Sequence, residues 1–281
     1  MSGLKRHIGS GYPSRPVIAL LTDFGYSDGY VGTMKGVIAS IIPDALVIDI
    51  THGIQPQSIT SAALILWGSY RYFPHGTIHC VVVDPTVGTE RRPIAVRTSR
   101  YTFVGPDNGV LSWAFDEDGV ELAVHITNRK FMLPFLSQTF HGRDVFAPVA
   151  AHIATGVELK ELGEEVPNSS LKRLTKLSAK RRGKSLIAKV VHIDLFGNAI
   201  TNLHIGQFER WLKNVAQGAW RARIGEVEFK MLSTAYADVP VGEPLIIFNS
   251  YGLLEVAVNC GNAAREINIS VGDELVIEPL K

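Results

Sequence analysis

The sequence has few cysteines and no long apolar run. Its 281 residues include only Cys80 and Cys260, which lie far apart in apolar segments. Neither has a second cysteine nearby, which excludes a disulfide scaffold and predicts buried, reduced thiols in a cytoplasmic protein. No stretch approaches the roughly 18 apolar residues of a membrane-spanning helix. Residues 1–15 lack the apolar core of a signal peptide, and we expect them to form a flexible arm.

The net charge of the sequence is also small. Lys and Arg number 28 against 27 Asp and Glu, so the whole chain offers no field that would attract nucleic acid or a membrane. One segment departs from this balance, because residues 172–184 hold seven cations and no acid. We interpret residues 168–184 as a basic linker. The alternative is a surface through which a sensor protein contacts nucleic acid.

Several catalytic signatures are missing as well. The sequence contains no HExxH, no paired CxxC, no Walker loop, no GxGxxG and no GxSxG. These absences argue against the common zinc sites, phosphate-binding loops and nucleophile elbows.

What is present is an alternation of apolar and amphipathic segments. The pattern predicts an α/β domain over residues 16–167 with a largely parallel sheet, and a small antiparallel β-barrel over residues 185–281. In the first domain we expect strands at 17–21, 45–50, 78–84 and 124–127, and helices at 29–42, 58–72 and 145–155. In the second we expect strands at 186–193, 220–224, 227–231, 245–249, 253–258 and 274–277.

Polar residues interrupt three segments of the first domain. Asp23 and Asp28 follow the first strand, where ligands collect in open α/β sheets. A carboxylate there can accept hydrogen bonds from both hydroxyls of a ribose, although Asp28 can instead cap the next helix. Asp84 ends another strand, and a Pro/Gly turn allows Arg91 to face it, as a ligand site or a structural ion pair. His141 precedes a helix, where it is either structural or able to titrate in a cleft.

The second domain carries two further polar groups. Asp194, Phe196 and Asn198 follow a strand and combine an acid, an aromatic ring and an amide, a set suited to a base and an amine. Residues 249–252, which include Ser250, form a turn whose simplest interpretation is a hairpin.

Five segments occur in a characteristic order. They are TDFGYSDGYVGTMKG at 22–36, DPTVGTERR at 84–92, GPDNGVLS at 105–112, TFHGRD at 139–144 and DLFGN at 194–198, followed by TN. In this order the set resembles the S-adenosylmethionine hydroxide adenosyltransferase family, which is related to the fluorinating and chlorinating enzymes. The resemblance implies hydrolysis of S-adenosylmethionine to adenosine and methionine by water attack at the ribose C5′ carbon, without a cofactor. It also implies a homotrimer with active sites between the N-terminal domain of one subunit and the C-terminal domain of the next.

The resemblance also assigns roles to individual residues. The water-handling residues are Asp84, Arg91 and His141. The substrate-binding residues are Asp23 for the ribose, Asp28 and Asp194 near the methionine amino group, Phe196 and Asn198 beside adenine, and Ser250 near the methionine carboxylate.

The chemistry agrees with this assignment. A sulfonium departs as a neutral leaving group, so the reaction needs a positioned water and a base rather than a general acid or a metal. Thr86 stands where the family usually has glycine, and Tyr251 stands where halogenating relatives have arginine. Those relatives also have an aromatic residue in place of Asp84 and an extra loop between Arg92 and Asn108, and both differences favour water over halide. The alternatives are a halide adenosyltransferase and a non-enzymatic sensor of adenosine or S-adenosylmethionine.

Overall fold

The computed structural model describes residues 15–216 and 219–280. The chain divides into two compact units between Leu174 and Thr175, inside the segment that the sequence predicts as a linker. We refer to the part that ends at Leu174 as unit 1 and to the part that begins at Thr175 as unit 2. The predicted arm, residues 1–15, lies outside the described residues except for Arg15.

Unit 1 alternates strands and helices. Its strands are β1 (Val17–Thr22), β2 (Leu46–Thr51), β3 (Ile78–Val82), β4 (Pro93–Thr98), β5 (Thr102–Pro106), β6 (Val120–Ile126) and β7 (Gly163–Glu165). Its α-helices are α1 (Tyr30–Ile41), α2 (Ile59–Ser69), α3 (Ser112–Asp118) and α4 (Ala147–Ala154). Short 3₁₀ turns cover Tyr70–Tyr72, Arg129–Phe131, Leu159–Leu162 and Asn168–Ser170, and a π-helix covers Gly142–Phe146.

The sheet of unit 1 has the strand order β2-β1-β3-β5-β4-β6-β7. The first four strands in this order pair in parallel, whereas β4 and β7 run against their neighbours. The mostly parallel sheet predicted from the sequence is therefore confirmed.

The centre of this sheet is buried on both faces. All six residues of β1 are buried, because successive side chains point to opposite faces and each face is covered by helices. Ile18 and Leu20 pack in one cluster with Met34 of α1, and Leu21 packs in another with Leu66 of α2. Each such side chain contributes about 1.5–3 kcal/mol. The packing fixes the carboxyl end of β1, where Asp23 begins a loop.

Unit 2 is built mainly of strands. They are β8 (Lys180–Arg182), β9 (Ser185–Ile193), β10 (Ala199–His204), β11 (Trp220–Ile224), β12 (Val227–Phe229), β13 (Pro244–Phe248), β14 (Leu253–Val258) and β15 (Glu274–Pro279). The α-helices are α5 (Ile205–Trp211) and α6 (Ala263–Glu266), with a π-helix at Leu212–Ala216 and a 3₁₀ turn at Tyr236–Asp238.

The strands of unit 2 follow the order β12-β11-β15-β9-β10-β14-β13, and β8 pairs with β9. Neighbouring strands in this order are antiparallel, and the sheet nearly closes into a barrel, which confirms the predicted fold. Phe208 of α5 packs edge-on against Trp220 of β11, with ring centroids 5.4 Å apart, inside the core of this unit.

The segment predicted as a linker is held at both ends. The Lys172 backbone N–H donates to Asp107 Oδ1 at 2.8 Å, and Arg173 pairs with Asp116 at 2.9 Å. Farther along, Lys180–Arg182 forms strand β8. The cationic segment thus contributes contacts to unit 1 and a strand to unit 2.

One prediction about the thiols is wrong. Cys80 is buried on β3, but Cys260 is exposed, because it follows β14 in a turn with a positive φ of 55°. No helix among residues 15–216 and 219–280 combines the length and apolar character needed to cross a bilayer.

Candidate active site

A pocket of about 370 Å³ lies at the carboxyl ends of β1 and β3 in unit 1. Asp23 enters it directly after β1, and Asp84 enters it two residues after β3. His141 reaches it from the residue before the π-helix. The pocket therefore lies where a parallel sheet gathers ligand-binding loops.

Arg91 joins Asp84 and His141. Its Nε donates to Asp84 Oδ2 at 2.8 Å, and its Nη2 lies 2.5 Å from the same oxygen. Nη2 also lies 2.6 Å from His141 Nδ1, and the guanidinium stacks over the buried ring of Phe146 at 5.3 Å. The structure therefore brings together the three residues expected to handle water.

The guanidinium determines the protonation of His141. Because Arg91 can only donate hydrogen bonds, His141 Nδ1 must accept one, and the proton of the neutral ring lies on Nε2. Burial lowers the pKa of His141, and the positive charge of Arg91 lowers it further, against the opposing effects of Asp84, Asp144 and the Ser137 backbone. His141 is therefore a neutral imidazole near pH 7, with its Nδ1 lone pair occupied.

The second carboxylate oxygen of Asp84 differs from the first. Oδ2 contacts Arg91 twice, whereas Oδ1 is buried and has no hydrogen-bond partner within the described part of the chain. Buried acceptors are almost always satisfied in proteins. Since Asp84 lines the pocket, Oδ1 is suited to accept a proton-bearing group of a molecule bound there.

A glycine explains how the chain returns from Asp84 to Arg91. The Val87 backbone N–H donates to the Asp84 carbonyl at 3.2 Å, and Gly88 follows with a φ of 78°. A Cβ at Gly88 would lie 2.3 Å from the Gln138 carbonyl oxygen, so only glycine allows this turn to pack against the loop that leads to His141. Thr86 adopts no positive φ, which explains why it is accepted where the family usually has glycine.

Asp144 holds the loop on the other side of His141. Its side chain is fully buried, its Oδ2 accepts the Ser137 backbone N–H at 2.7 Å, and its Oδ1 accepts from Arg143 Nε at 2.5 Å. The π-helix itself is closed by the Ala147 backbone N–H, which donates to the Gly142 carbonyl. π-Helical turns are frequent at functional sites, and here one sets the direction of the His141 side chain.

Asp23 and Asp28 have different environments. Asp23 lines the pocket, and its Oδ2 accepts the Gln57 backbone N–H at 2.7 Å. Asp28 is exposed and is not among the residues that line the pocket of unit 1. Helix α1 has Gly29 as its N-cap and no side-chain capping hydrogen bond, so the helix-cap interpretation of Asp28 is not supported.

Three aromatic rings of the pocket were missed by the sequence analysis. Phe24, Tyr30 and Phe140 line it, and their ring centroids lie 5.1–5.7 Å from one another. They supply an apolar wall beside the polar residues. Their signal was available, because each lies within the segments that contain Asp23 or His141.

In unit 2, Asp194 organises the turn between β9 and β10. Its Oδ1 accepts the backbone N–H groups of Phe196 and Asn198, both at 2.9 Å, and its Oδ2 accepts Asn198 Nδ2 at 3.2 Å. Gly197 has a φ of 87°, and a Cβ there would lie 2.1 Å from the Asn262 side chain. The turn exposes 72% of Phe196, which leaves this ring available for contact with another molecule.

Ser250 lies in a different turn, between β13 and β14, and is exposed. Asn249 Oδ1 accepts the backbone N–H groups of Tyr251 at 3.0 Å and Leu253 at 3.2 Å. The structure therefore shows the hairpin that the sequence suggests for residues 249–252.

A buried carboxylate in unit 2 was not anticipated. Glu255 accepts from Tyr236 Oη at 2.8 Å and from Asn249 Nδ2 at 3.2 Å. Burial raises the pKa of Glu255, the two hydrogen bonds oppose this, and Asp194 raises it again. Burial, Glu255 and Asp194 together raise the pKa of Tyr236 to about 12. The sequence signal was weak, because Glu255 interrupts the apolar strand β14 as a single residue.

Within residues 15–216 and 219–280, no group of three or more His, Cys, Asp or Glu side chains is arranged to hold a metal ion.

Comparison with known proteins adds four findings. The models of the SAM hydroxide adenosyltransferase N-terminal and C-terminal domains match residues 18–163 and 188–276. An (R)-S-adenosyl-L-methionine hydrolase of Salinispora arenicola is 38% identical over 93% of this chain and 97% of its own length. A fluorinase of Actinopolyspora mzabensis is 28% identical over 92% of this chain and 96% of its own. The crystal structure of an uncharacterized conserved protein from Thermotoga maritima superposes with a TM-score of 0.84 at 39% identity, covering 93% of this chain and 99% of that one.

Proposed function

The chain belongs to the S-adenosylmethionine hydroxide adenosyltransferase family, and we propose that it hydrolyses S-adenosyl-L-methionine to adenosine and L-methionine. The observation that carries this proposal is the carboxylate of Asp84, a residue that lines the pocket. Its Oδ1 is buried and has no partner among the described residues, while its Oδ2 contacts Arg91. A water in the pocket can donate a hydrogen bond to Oδ1.

The reaction follows from that contact. The water oxygen forms a bond to C5′, the C5′–S bond breaks, and its electron pair leaves on the sulfur of neutral methionine. The water proton passes to Asp84 rather than to His141, because the His141 Nδ1 lone pair already accepts from Arg91. General-base help of this kind typically contributes 10²–10⁴ in rate. The neutral leaving group requires no metal and no cofactor.

Within unit 1, Asp23 is placed to bind the ribose. One oxygen is fixed by the Gln57 backbone N–H, and the carboxylate accepts hydrogen bonds from the 2′- and 3′-hydroxyl groups. Phe24, Tyr30 and Phe140 form the apolar wall around the reacting carbon.

The remaining binding roles fall to Asp28 and unit 2. Asp28 and Asp194 attract the methionine ammonium group, Phe196 and Asn198 contact adenine, and Ser250 contacts the methionine carboxylate. The protein acts as a homotrimer in which unit 1 of one subunit and unit 2 of the next share a substrate. The exposed Phe196 ring supports this arrangement, because a large aromatic side chain in solvent is suited to an interface or a ligand. The two unpaired thiols support a cytoplasmic location.

Halide transfer is disfavoured at the same atoms. A halide ion in the place of water would lie beside the Asp84 carboxylate, whose Oδ1 has no proton to donate. The like charges repel in a buried site where screening is weak.

The test is chromatography of S-adenosylmethionine incubated with the protein, with and without chloride. We expect equimolar adenosine and methionine in both conditions. Asp84→Asn is expected to lower kcat by about 10²–10⁴ while adenosine still binds. Asp116→Asn, which removes an exposed carboxylate paired with Arg173 on unit 1, is the matched control and keeps full activity.

Two results would contradict the proposal. Formation of 5′-chloroadenosine in proportion to chloride would assign halide transfer instead. Tight binding of S-adenosylmethionine with no adenosine formed would assign a sensor, and a salt-dependent affinity of residues 172–184 for nucleic acid would then identify its output.

A further inference from the structure

His52 is a buried histidine beside the pocket that the proposed mechanism does not use. It follows β2, and 1% of its surface is exposed. Its Nδ1 lies 2.7 Å from the hydroxyl of Thr22, the last residue of β1. Its Nε2 lies 3.1 Å from Asp49 Oδ1, without the alignment of a hydrogen bond. The imidazole therefore stands between a carboxylate on β2 and a hydroxyl on β1.

The neighbours determine which way these contacts run. A carboxylate beside Nε2 favours the proton on that nitrogen, which leaves Nδ1 as an acceptor. The Thr22 hydroxyl then donates to Nδ1 and accepts the Phe24 backbone N–H at 3.2 Å. Thr22 is fully buried, so it has a single orientation that satisfies both contacts.

The same histidine holds the loop after β1 through its backbone. The Gly25 backbone N–H donates to the His52 carbonyl at 2.8 Å. Farther along the loop after β2, the Gln57 backbone N–H donates to Asp23 Oδ2 at 2.7 Å. Asp23 lies between Thr22 and Phe24, both of which are engaged. Three hydrogen bonds thus join Thr22 and the loop that follows it to the loop after β2, and Asp23 lies among them.

The other oxygen of Asp49 accepts hydrogen bonds from two further side chains. Its Oδ2 accepts from Lys35 Nζ at 2.7 Å and from Tyr26 Oη at 2.9 Å, and the Tyr26 ring packs edge-on against His52 at 5.1 Å. Burial would raise the pKa of Asp49, but the hydrogen bonds from Lys35 and Tyr26, together with the nearby His52 imidazole, outweigh burial and lower it. Asp49 therefore remains ionised and keeps the imidazole oriented.

We propose that the Thr22–His52–Asp49 chain positions the carboxylate of Asp23 for the ribose of the substrate. The proposal rests on the proposed function, in which Asp23 binds ribose. Thr22, His52 and Asp49 are positioning residues, since none of them is among the residues that line the pocket. Asp49 orients the imidazole, the imidazole accepts a hydrogen bond from the Thr22 hydroxyl, and that hydroxyl accepts the Phe24 backbone N–H. The backbone on both sides of Asp23 is therefore fixed.

The two contacts of the His52 imidazole, one with Thr22 and one with Asp49, can be tested separately by substitution. In His52→Asn the side-chain oxygen takes the place of Nδ1 and keeps an acceptor for Thr22, whereas the contact with Asp49 is lost. In His52→Gln the amide takes the place of Nε2, and the acceptor for Thr22 is lost. Thr22→Val removes the hydroxyl, and Thr22→Ser restores it.

The measurements are kcat and KM for S-adenosylmethionine and the Kd for adenosine by titration calorimetry. We expect Thr22→Val and His52→Gln to raise KM and the adenosine Kd by about tenfold or more, with kcat changed less than about threefold, since Asp23 touches the ribose and not the reacting water. Thr22→Ser should stay within about threefold of wild type. His52→Asn keeps the acceptor for Thr22 but loses the contact with Asp49, so it should raise KM and the adenosine Kd less than His52→Gln does and more than Thr22→Ser does. Thr201→Val, which removes a buried hydroxyl that donates to the Leu254 carbonyl in unit 2, controls for the general loss of a buried hydrogen bond.

A purely structural role would give a different pattern. It would lower the unfolding midpoint of Thr22→Val and Thr201→Val alike and leave the adenosine Kd of the folded protein unchanged, and that result overturns the proposal. If wild type forms no adenosine but binds it, the proposed function fails while the titration still decides the positioning role. If wild type neither forms nor binds adenosine, both fail.

Discussion

In unit 1 the buried carboxylate of Asp84 contacts the guanidinium of Arg91, whereas in unit 2 the buried carboxylate of Glu255 accepts hydrogen bonds from two neutral groups, Tyr236 and Asn249. The first arrangement cancels the charge locally. The second leaves it uncancelled, and burial with Asp194 nearby raises the pKa of Glu255. Asp84, whose charge is balanced by Arg91, is suited to hold a neutral water. Glu255 has no cation among its hydrogen-bond partners in the residues that the structure describes, and a carboxylate of this kind is suited to a cationic ligand.

Two buried titratable groups, His79 in unit 1 and Glu255 in unit 2, should contribute to stability with opposite dependence on pH. In unit 1, His79 is fully buried and stacks on Phe103 at 5.2 Å, and neither ring nitrogen has a hydrogen-bond partner in the described residues. Burial lowers the pKa of His79 to about 3. Lowering the pH therefore destabilises the fold around His79, because the unfolded chain binds a proton there more readily. Protonation of Glu255 has the opposite effect, because it removes the cost of burying a charge in unit 2.

Removing the cation from unit 1 should have the largest effect. Arg91→Met leaves Asp84 buried without its partner, and we expect the free energy of unfolding of unit 1 to fall by about 3–5 kcal/mol. Urea unfolding followed by peptide-resolved hydrogen exchange measures each unit separately. Adding Asp84→Asn should recover most of the loss but no activity. Arg97→Met, which breaks an exposed ion pair with Glu158 in the same unit, should cost less than about 1 kcal/mol. Equal losses in the two single variants would show that burial of the Asp84–Arg91 pair adds nothing to its effect on stability.

Replacing the buried histidine should remove the acid sensitivity of unit 1. The pKa of His79 is lowered from 6.5 to about 3, so the unfolded chain binds the proton first and stability falls as pH drops below about 6.5. Each pH unit costs about 1.4 kcal/mol, or roughly 3 kcal/mol at about pH 4. His79→Phe should unfold at the same urea concentration as wild type near pH 8 or higher, and it should lose less stability at about pH 4. The exposed His75→Phe is the control and should leave the acid-dependent loss unchanged. If His79→Phe lost as much stability at about pH 4 as wild type does, the His79 imidazole could not be the cause of that loss.

Neutralising Glu255 should have the smallest effect and the opposite sign. Because the folded-state pKa of Glu255 is raised, its contribution is fully present below the unfolded pKa and decreases as pH rises through the folded pKa. Glu255→Gln should remove this slope in unit 2 and change stability near pH 8 by no more than about 1 kcal/mol, since two neutral hydrogen bonds are involved. Hydrogen exchange of peptides from β14 measures it. A loss as large as that of Arg91→Met would show that Glu255 depends on a cation after all.

The sequence predicts the fold best where apolar residues form nearly continuous runs or alternate regularly with polar ones. Strands β1, β11 and β14 lie within about one residue of their expected bounds. Strands β4 and β5 were missed because both are short, separated by a turn of three residues, and begin or end with proline. Strand β10 was missed because Thr201, Asn202 and His204 interrupt its apolar residues.

Some contacts of the candidate site could likewise be expected from the sequence, and others could not. The spacing of Asp84 and Arg91 was sufficient to expect their contact, since a Pro/Gly turn has few ways to return the chain. The contact of Arg91 with His141 spans 50 residues and depends on how Gly88 packs against Gln138, which no local pattern reveals. Glu255 and His52 were missed because a single polar residue gives no periodic signal, and only the folded neighbours show its role.

The π-helix after His141 makes the site depend on the number of residues in this segment. A π-turn accommodates one residue more than an α-helical turn, and deleting one residue between Gly142 and Phe146 would allow a regular α-helix to continue into α4. Each residue of an α-helix corresponds to about 100° of rotation, so that deletion would turn the His141 side chain away from Arg91 while the helix itself became more regular. A one-residue deletion here should therefore remove the contact between His141 and Arg91, although the helix alone would accept it.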